Sequence, residues 1–292
     1  MKQCILLFAL LVGMQVVCAQ KTDQKLQRKV EELIKGFQGD IGIYVKSLKT
    51  GKVVAINADS VFPTASMVKV PILVGIVDKM RKGELNYHQP IVYKDSLLYE
   101  GEDILGSFKH NESIDLSKVI MLMLTTSDNT ASLWLQSLAG TGTRINELMD
   151  SLGYKHTRVN SRTTGRENNR TMYGWGQTTA FEMANLFERI YRKEIFSDSS
   201  CIQMMRLLGR NYWDEEGLSA IPPTVEVFSK NGAVNASRSE VMLVNAPHHP
   251  YVVCIVTKNN KDQSWNATNE AWTLTRKLSA LLWNYFEPKM KL

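Results

Sequence analysis

Cysteine is scarce in this chain, with four in 292 residues, and two of those, Cys4 and Cys18, fall in the first nineteen. That leaves Cys201 and Cys254, which excludes a disulfide-dense scaffold. An oxidising compartment would permit one bridge between them. Cys254, however, lies inside the apolar run Tyr251 to Val256, where it reads as a buried thiol. The five histidines are scattered and show no metal-ligand spacing, so no metal and no cofactor is expected. His248 and His249 stand beside prolines and read as loop residues. The formal net charge of +6 is spread along the chain, with no Lys/Arg block interleaved with aromatics. That pattern suits ordinary surface charge and argues against a nucleic-acid partner. No segment after the first nineteen residues is apolar for long enough to span a bilayer, so stable membrane insertion is not expected.

The start of the chain does have a pattern. Lys2, the short apolar run Ile5 to Met14 and Val17-Cys18-Ala19 before Gln20 read as a cleavable export signal over residues 1–19. Lipid attachment at Cys18 is the weaker alternative, because Val17 is not small. The expectation is an exported, periplasmic or secreted, monomeric protein.

Leu26, Val30, Leu33, Ile34 and Phe37 follow helical spacing. Ile41 to Ser47 and Val53 to Asn57 flank Lys49-Thr50-Gly51 as a β-hairpin. Pro63 suits the first turn of a helix running through Ile76. Helices are also expected over Leu116 to Leu124 and Ala131 to Leu138. Another should start at Thr179-Ala180-Phe181-Glu182, a T-x-x-E capping box. A polar stretch between His156 and Gln177 lacks periodicity. Val225 to Lys230, Glu240 to Val244 and Tyr251 to Val256 read as strands before a final amphipathic helix. The pattern gives an α+β fold, with residues 20–62 and 206–292 forming a discontinuous α+β lobe around a helical lobe of residues 63–205.

Three short motifs carry the chemistry. Ser66 and Lys69 are spaced i, i+3, so a helix would hold an amine against a hydroxyl that needs a base to become nucleophilic. Ser127-Asp128-Asn129 sits in a break between helices. Ser127 can relay a proton to a leaving group, Asn129 can bond a substrate amide and the lysine, and Asp128 can tie the loop to backbone donors. Lys230-Asn231-Gly232-Ala233 ends a strand. There Lys230 offers a cation to a substrate carboxylate, Gly232 lets a substrate approach, and Ala233 N–H can join Ser66 N–H as an oxyanion hole. Each motif alone is weak, since helix caps and Asn-Gly turns are common.

In this order, the three motifs make the chain resemble the class A serine β-lactamases among the penicillin-recognising serine hydrolases. The resemblance covers nearly all of the chain after residue 19. It implies a five-stranded antiparallel sheet with flanking helices packed against an all-helical lobe, and a cleft between them. It also implies a β-lactam or peptidoglycan-like peptide as substrate, with Ser66, Lys69 and Ser127 catalytic and Asn129, Lys230, Asn231, Gly232 and Ala233 binding it. Two departures stand out. The family carries a glutamate for deacylation ahead of the Thr-Thr helix entry, but Asn160 to Thr164 here hold no carboxylate; Glu167, the only acid between Gly153 and Gln177, becomes the candidate base. Asn231 stands where Thr or Ser is usual. The alternatives are a penicillin-binding-type peptidase or esterase with slow deacylation and, in another class, a β-lactam-binding sensor module.

Overall fold

A computed structural model describes residues 21–101 and 103–290; the stretch expected to be an export signal, with Cys18, lies outside them. The framework is a five-stranded antiparallel sheet of β1 (Asp40–Ser47), β2 (Val53–Ile56), β3 (Val227–Val234), β4 (Ser237–Val244) and β5 (Tyr251–Lys258), in the order β2-β1-β5-β4-β3. The β1–β2 hairpin turns as expected, with Gly51 at a φ of +71° that a side-chain-bearing residue adopts poorly. β5 sits in the middle of the sheet, and this explains its unbroken apolar run. Tyr44, Val252, Cys254 and Val256 enter one core, while Ile43, Val45, Val253 and Ile255 enter another on the opposite face. A strand covered on both faces needs no polar alternation.

The helices are α1 (Gln24–Ile34), α2 (Lys69–Arg81), α3 (Leu116–Thr125), α4 (Asn129–Leu138), α5 (Thr141–Ser151), α6 (Glu167–Tyr173), α7 (Ala180–Tyr191), α8 (Asp198–Leu208) and α9 (Glu270–Phe286). α1 and α9 cover one face of the sheet, burying Leu26, Val30, Leu278, Leu282 and Trp283. The other face meets the helical lobe. Its centre is α2, where every residue from Lys69 to Asp78 is buried, as a helix apolar on all sides requires. Among the described residues no helix is long and apolar enough to cross a membrane.

Two sequence expectations change. Pro63 is not in a helical first turn: Phe62–Pro63 forms a short strand pairing with Gly176–Thr178, an edge position that tolerates a residue without an N–H. A 3₁₀ turn, Ala65–Val68, follows, and α2 starts only at Lys69. The capping box is half made. Thr179 Oγ1 accepts from Glu182 N at 3.0 Å, but the Glu182 carboxylate accepts instead from the N–H groups of Lys155, His156 and Thr157. Glu182 therefore anchors the start of the polar stretch. That stretch is also ordered, containing Arg158–Val159, which pairs with Gly176–Gln177, and helix α6. Cys201 and Cys254 are both buried free thiols.

Candidate active site

Ser66 lies in the 3₁₀ turn that joins the short Phe62–Pro63 strand to α2. The turn is tight because Ala65 adopts a φ of +44°, a costly conformation for a residue with a Cβ. It is pressed against the end of β3: a Cβ on Gly232 would lie 2.5 Å from Ser66 N. Only glycine fits there. Ser239 Oγ on β4 adds a bond to Thr64 O at 2.8 Å, tying the sheet to this turn.

Lys69 is fully buried one turn on. Its Nζ lies 3.0 Å from Ser66 Oγ, 2.9 Å from Ser127 Oγ and 3.0 Å from Asn129 Oδ1, and it also bonds the Ser127 carbonyl. Two of these partners, the carbonyl and the amide oxygen, can only accept. A neutral amine can give them its two N–H bonds and turn its lone pair to a serine hydroxyl. That is the arrangement a general base for Ser66 needs.

Ser127 takes a φ of +64°, which brings both its carbonyl and its hydroxyl to Lys69. Asp128 holds this strained corner. Its Oδ1 caps α4 by accepting from Ala131 N at 2.7 Å, and its Oδ2 accepts from Ile104 N and Leu105 N. Lys230 is fully buried on β3, its Nζ donating to Asn231 O at 3.0 Å and Asn231 Oδ1 at 3.2 Å.

The cleft runs to both sides of Ser66. On one side Asn129 joins Tyr99, Met172, Trp175 and Val234 around a cavity of about 530 Å³. On the other, Ser127, Asn231, Trp213, Glu215 and Glu216 surround about 270 Å³. Ala233 and Trp265 border both. Ser66, Lys69, Ser127 and Asn129 thus converge, with Asn231, Gly232 and Ala233 along one wall.

Glu167 does not join them. It is exposed in the first turn of α6, its Oε1 accepts from Gly165 N at 3.1 Å, and it lines neither half of the cleft. Behind the cleft wall the polar stretch is held by an arginine–amide network. Arg166 donates to Asn160 Oδ1 at 2.9 Å and to Gln177 Oε1 at 2.7 Å, and Asn169 donates to the same Gln177 oxygen. Burial, reinforced by Arg158, lowers the Arg166 pKa. The residues of this stretch that face Ser66 are Met172, Tyr173, Gly174 and Trp175. Sequence reasoning passed over these side chains because aperiodic aromatics in a polar stretch do not reveal which way they point.

Agreement with known proteins follows the geometry. The model of the "Beta-lactamase enzyme family" matches residues 25–286. The chain belongs to this family. Within it the β-lactamase VEB-1 of Pseudomonas aeruginosa is 19% identical over 294 residues, spanning 97% of each chain. A class A β-lactamase structure from Bacteroides cellulosilyticus superposes with a TM-score of 0.80 at 18% identity, covering 92% of this chain and 99% of that one. A mutant of PBP-A, solved as an acyl-enzyme complex with penicillin G, gives 0.81 at 22% identity, covering 92% and 98%. The fold of this β-lactamase-family chain is thus the β-lactamase/transpeptidase-like one.

A second carboxyl of this family member escaped the sequence reading. Glu240 on β4 pairs in register with Asn231, and it is buried. Its Oε2 accepts from Gly217 N at 2.9 Å, while Oε1 has no hydrogen-bond partner. Burial pushes its pKa up to about 7; Glu216 adds to the rise, and the Gly217 N–H and Lys230 oppose it. A carboxyl with a raised folded-state pKa binds its proton more tightly when folded. Its contribution is intact below about pH 4.5 and is lost as the pH climbs through about 7, a swing of about 3 kcal/mol. Glu240→Gln should therefore melt increasingly above the native protein between about pH 5 and 8. Parallel melting curves across that range would disprove it.

Proposed function

We propose that this protein is an exported serine hydrolase that opens β-lactam rings by forming an acyl-enzyme on Ser66, and that the acyl group is then released slowly. The observation carrying this reading is the buried Lys69 amine in contact with the Ser66 hydroxyl, the Ser127 hydroxyl and the Asn129 amide at once. Lys69 takes the Ser66 proton as Oγ attacks the lactam carbonyl. The developing oxyanion is met by the N–H groups of Ser66 and Ala233, each worth a few kcal/mol of barrier. The proton then passes from Lys69 through Ser127 to the lactam nitrogen as the C–N bond breaks, leaving the ester on Ser66. Lys230 donates to Asn231, which lines the Ser127 side of the cleft, and the Asn231 amide N–H can donate to a substrate carboxylate.

Slow release follows from the wall facing the ester. Among the described residues, the carboxylates lining the cleft are Glu215 and Glu216, on the Ser127 side, whereas the side of Asn129 and Trp175 offers aromatic, amide and hydroxyl groups and Lys258, whose amine is bonded to Val61 O at 3.1 Å. Among the described residues no carboxylate on that side is placed to activate a water for hydrolysis of the acyl ester. The acyl-enzyme complex of penicillin G with the PBP-A mutant supports the same chemistry on this fold.

A chromogenic cephalosporin assayed alongside intact-protein mass spectrometry tests the proposal. The expected result is a one-to-one adduct on Ser66 that builds faster than product accumulates. Neither adduct nor turnover would refute it. Glu167→Gln should change neither acylation nor deacylation by more than about twofold, since the side chain is turned to solvent. A deacylation rate that collapses in this variant would restore Glu167 as the base.

A further inference from the structure

The half of the cleft beside Ser127 ends at a barrier. After α8, residues 211–216 cross from the helical lobe to the sheet and are bonded to both. Tyr212 N donates to Thr125 O at 3.0 Å and Trp213 Nε1 to Thr126 O at 3.1 Å, at the end of α3 immediately ahead of Ser127. On the sheet side Asn211 Nδ2 donates to Ser229 Oγ at 3.1 Å on the edge strand β3, and Glu216 pairs with Arg276 of α9 at 2.6 Å. The next residue, Gly217, is held by Glu240 and by Ser279 Oγ at 2.6 Å.

This strap divides two spaces. On the Ser66 side Trp213 lines the cavity of about 270 Å³; on the far side Asn211 and Asp214 line a groove of about 1250 Å³ that includes Ser229 but not Ser66. Asn231 borders the first and Ser229 the second. One strand residue, Lys230, separates them, a distance of about 7 Å.

We propose that residues 211–216 are an end stop for the leaving group, so that this enzyme cuts at the terminus of a chain-like substrate or opens a compact ring, and does not cut within a chain. The inference rests on the acyl-enzyme reading above, because Ser127 must stand beside the leaving nitrogen to protonate it, and Ser127 lines the closed half. The acyl half, holding Asn129 and Trp175, has about twice the volume and carries the longer part of the substrate. A leaving group that continued along β3 would meet the Asn211–Ser229 bond after about two residues. Trp213 and Asn211 are then specificity-determining residues.

The test compares two depsipeptides with the same acyl group and scissile bond, one releasing a single residue and the other a tripeptide, with acylation followed by mass spectrometry. The native protein should acylate with the short one at least about tenfold faster. Asn211→Ala and Trp213→Gly, each checked by melting temperature, should raise the long-to-short rate ratio about tenfold by joining the two spaces. Equal rates in the native protein, or an unchanged ratio in both folded variants, would overturn the end stop while leaving the acyl-enzyme reading in place. Failure of both depsipeptides and of penicillin G to acylate Ser66 would overturn both.

Discussion

Ser66→Ala should abolish the covalent adduct with penicillin G and reduce turnover of a chromogenic cephalosporin by about 10³-fold or more, because the variant loses the hydroxyl that the proposal makes the nucleophile. The side chain is partly exposed in the cleft and its hydroxyl bonds the Lys69 amine, so the fold should not notice the loss of one oxygen. The thermal midpoint should stay within a few degrees of the native value, about the shift that 1 kcal/mol produces in a chain this long. Intact mass before and after incubation reads the adduct directly. Turnover retained in the folded variant would place the reaction at a different residue and dissolve the site as described.

Lys69→Met should lower the acylation rate by about 10³-fold, within the range that a positioned general base contributes. Methionine keeps the apolar stem in the buried interior of α2 but removes the amine. The Ser127 carbonyl and the Asn129 amide oxygen then lose a donor, so some of the loss will come through displacement of that corner. The pH profile separates the two effects. A missing base should remove the ionisation that governs acylation and flatten the profile, whereas a shifted Asn129 lowers the rate at every pH alike. Acylation within about tenfold of native, with its pH profile unchanged, would hand the base role to another group.

Much of this was legible because the signals are local. The 3.6-residue and two-residue periodicities named the sheet strands and the long helices, and the spacing of Ser66 to Lys69 already placed an amine one turn from a hydroxyl. Asp128 was read as a tie to backbone donors, and it accepts three N–H bonds. Pro63 misled because a proline opens a helix and fits a strand edge equally well; the partner strand that decides between them lies more than 110 residues later. Glu182 misled for the same kind of reason. Its capping partner was visible nearby, while the 155–157 amides that take its carboxylate became neighbours only on folding.

The sequence by itself determined which side chains could do acyl transfer: a serine, a lysine and a second serine, carried on local frames whose geometry their neighbours dictate. Only the tertiary structure decided that Glu167 faces water, that Met172 to Trp175 line the cleft beside Ser66, and that residues 211–216 are bonded to both the end of α3 and the edge strand β3. Periodicity along a chain records which face of an element is buried. It holds no information about which loop from elsewhere in the chain comes to cover that face, because such contacts are chosen by packing between segments far apart in number.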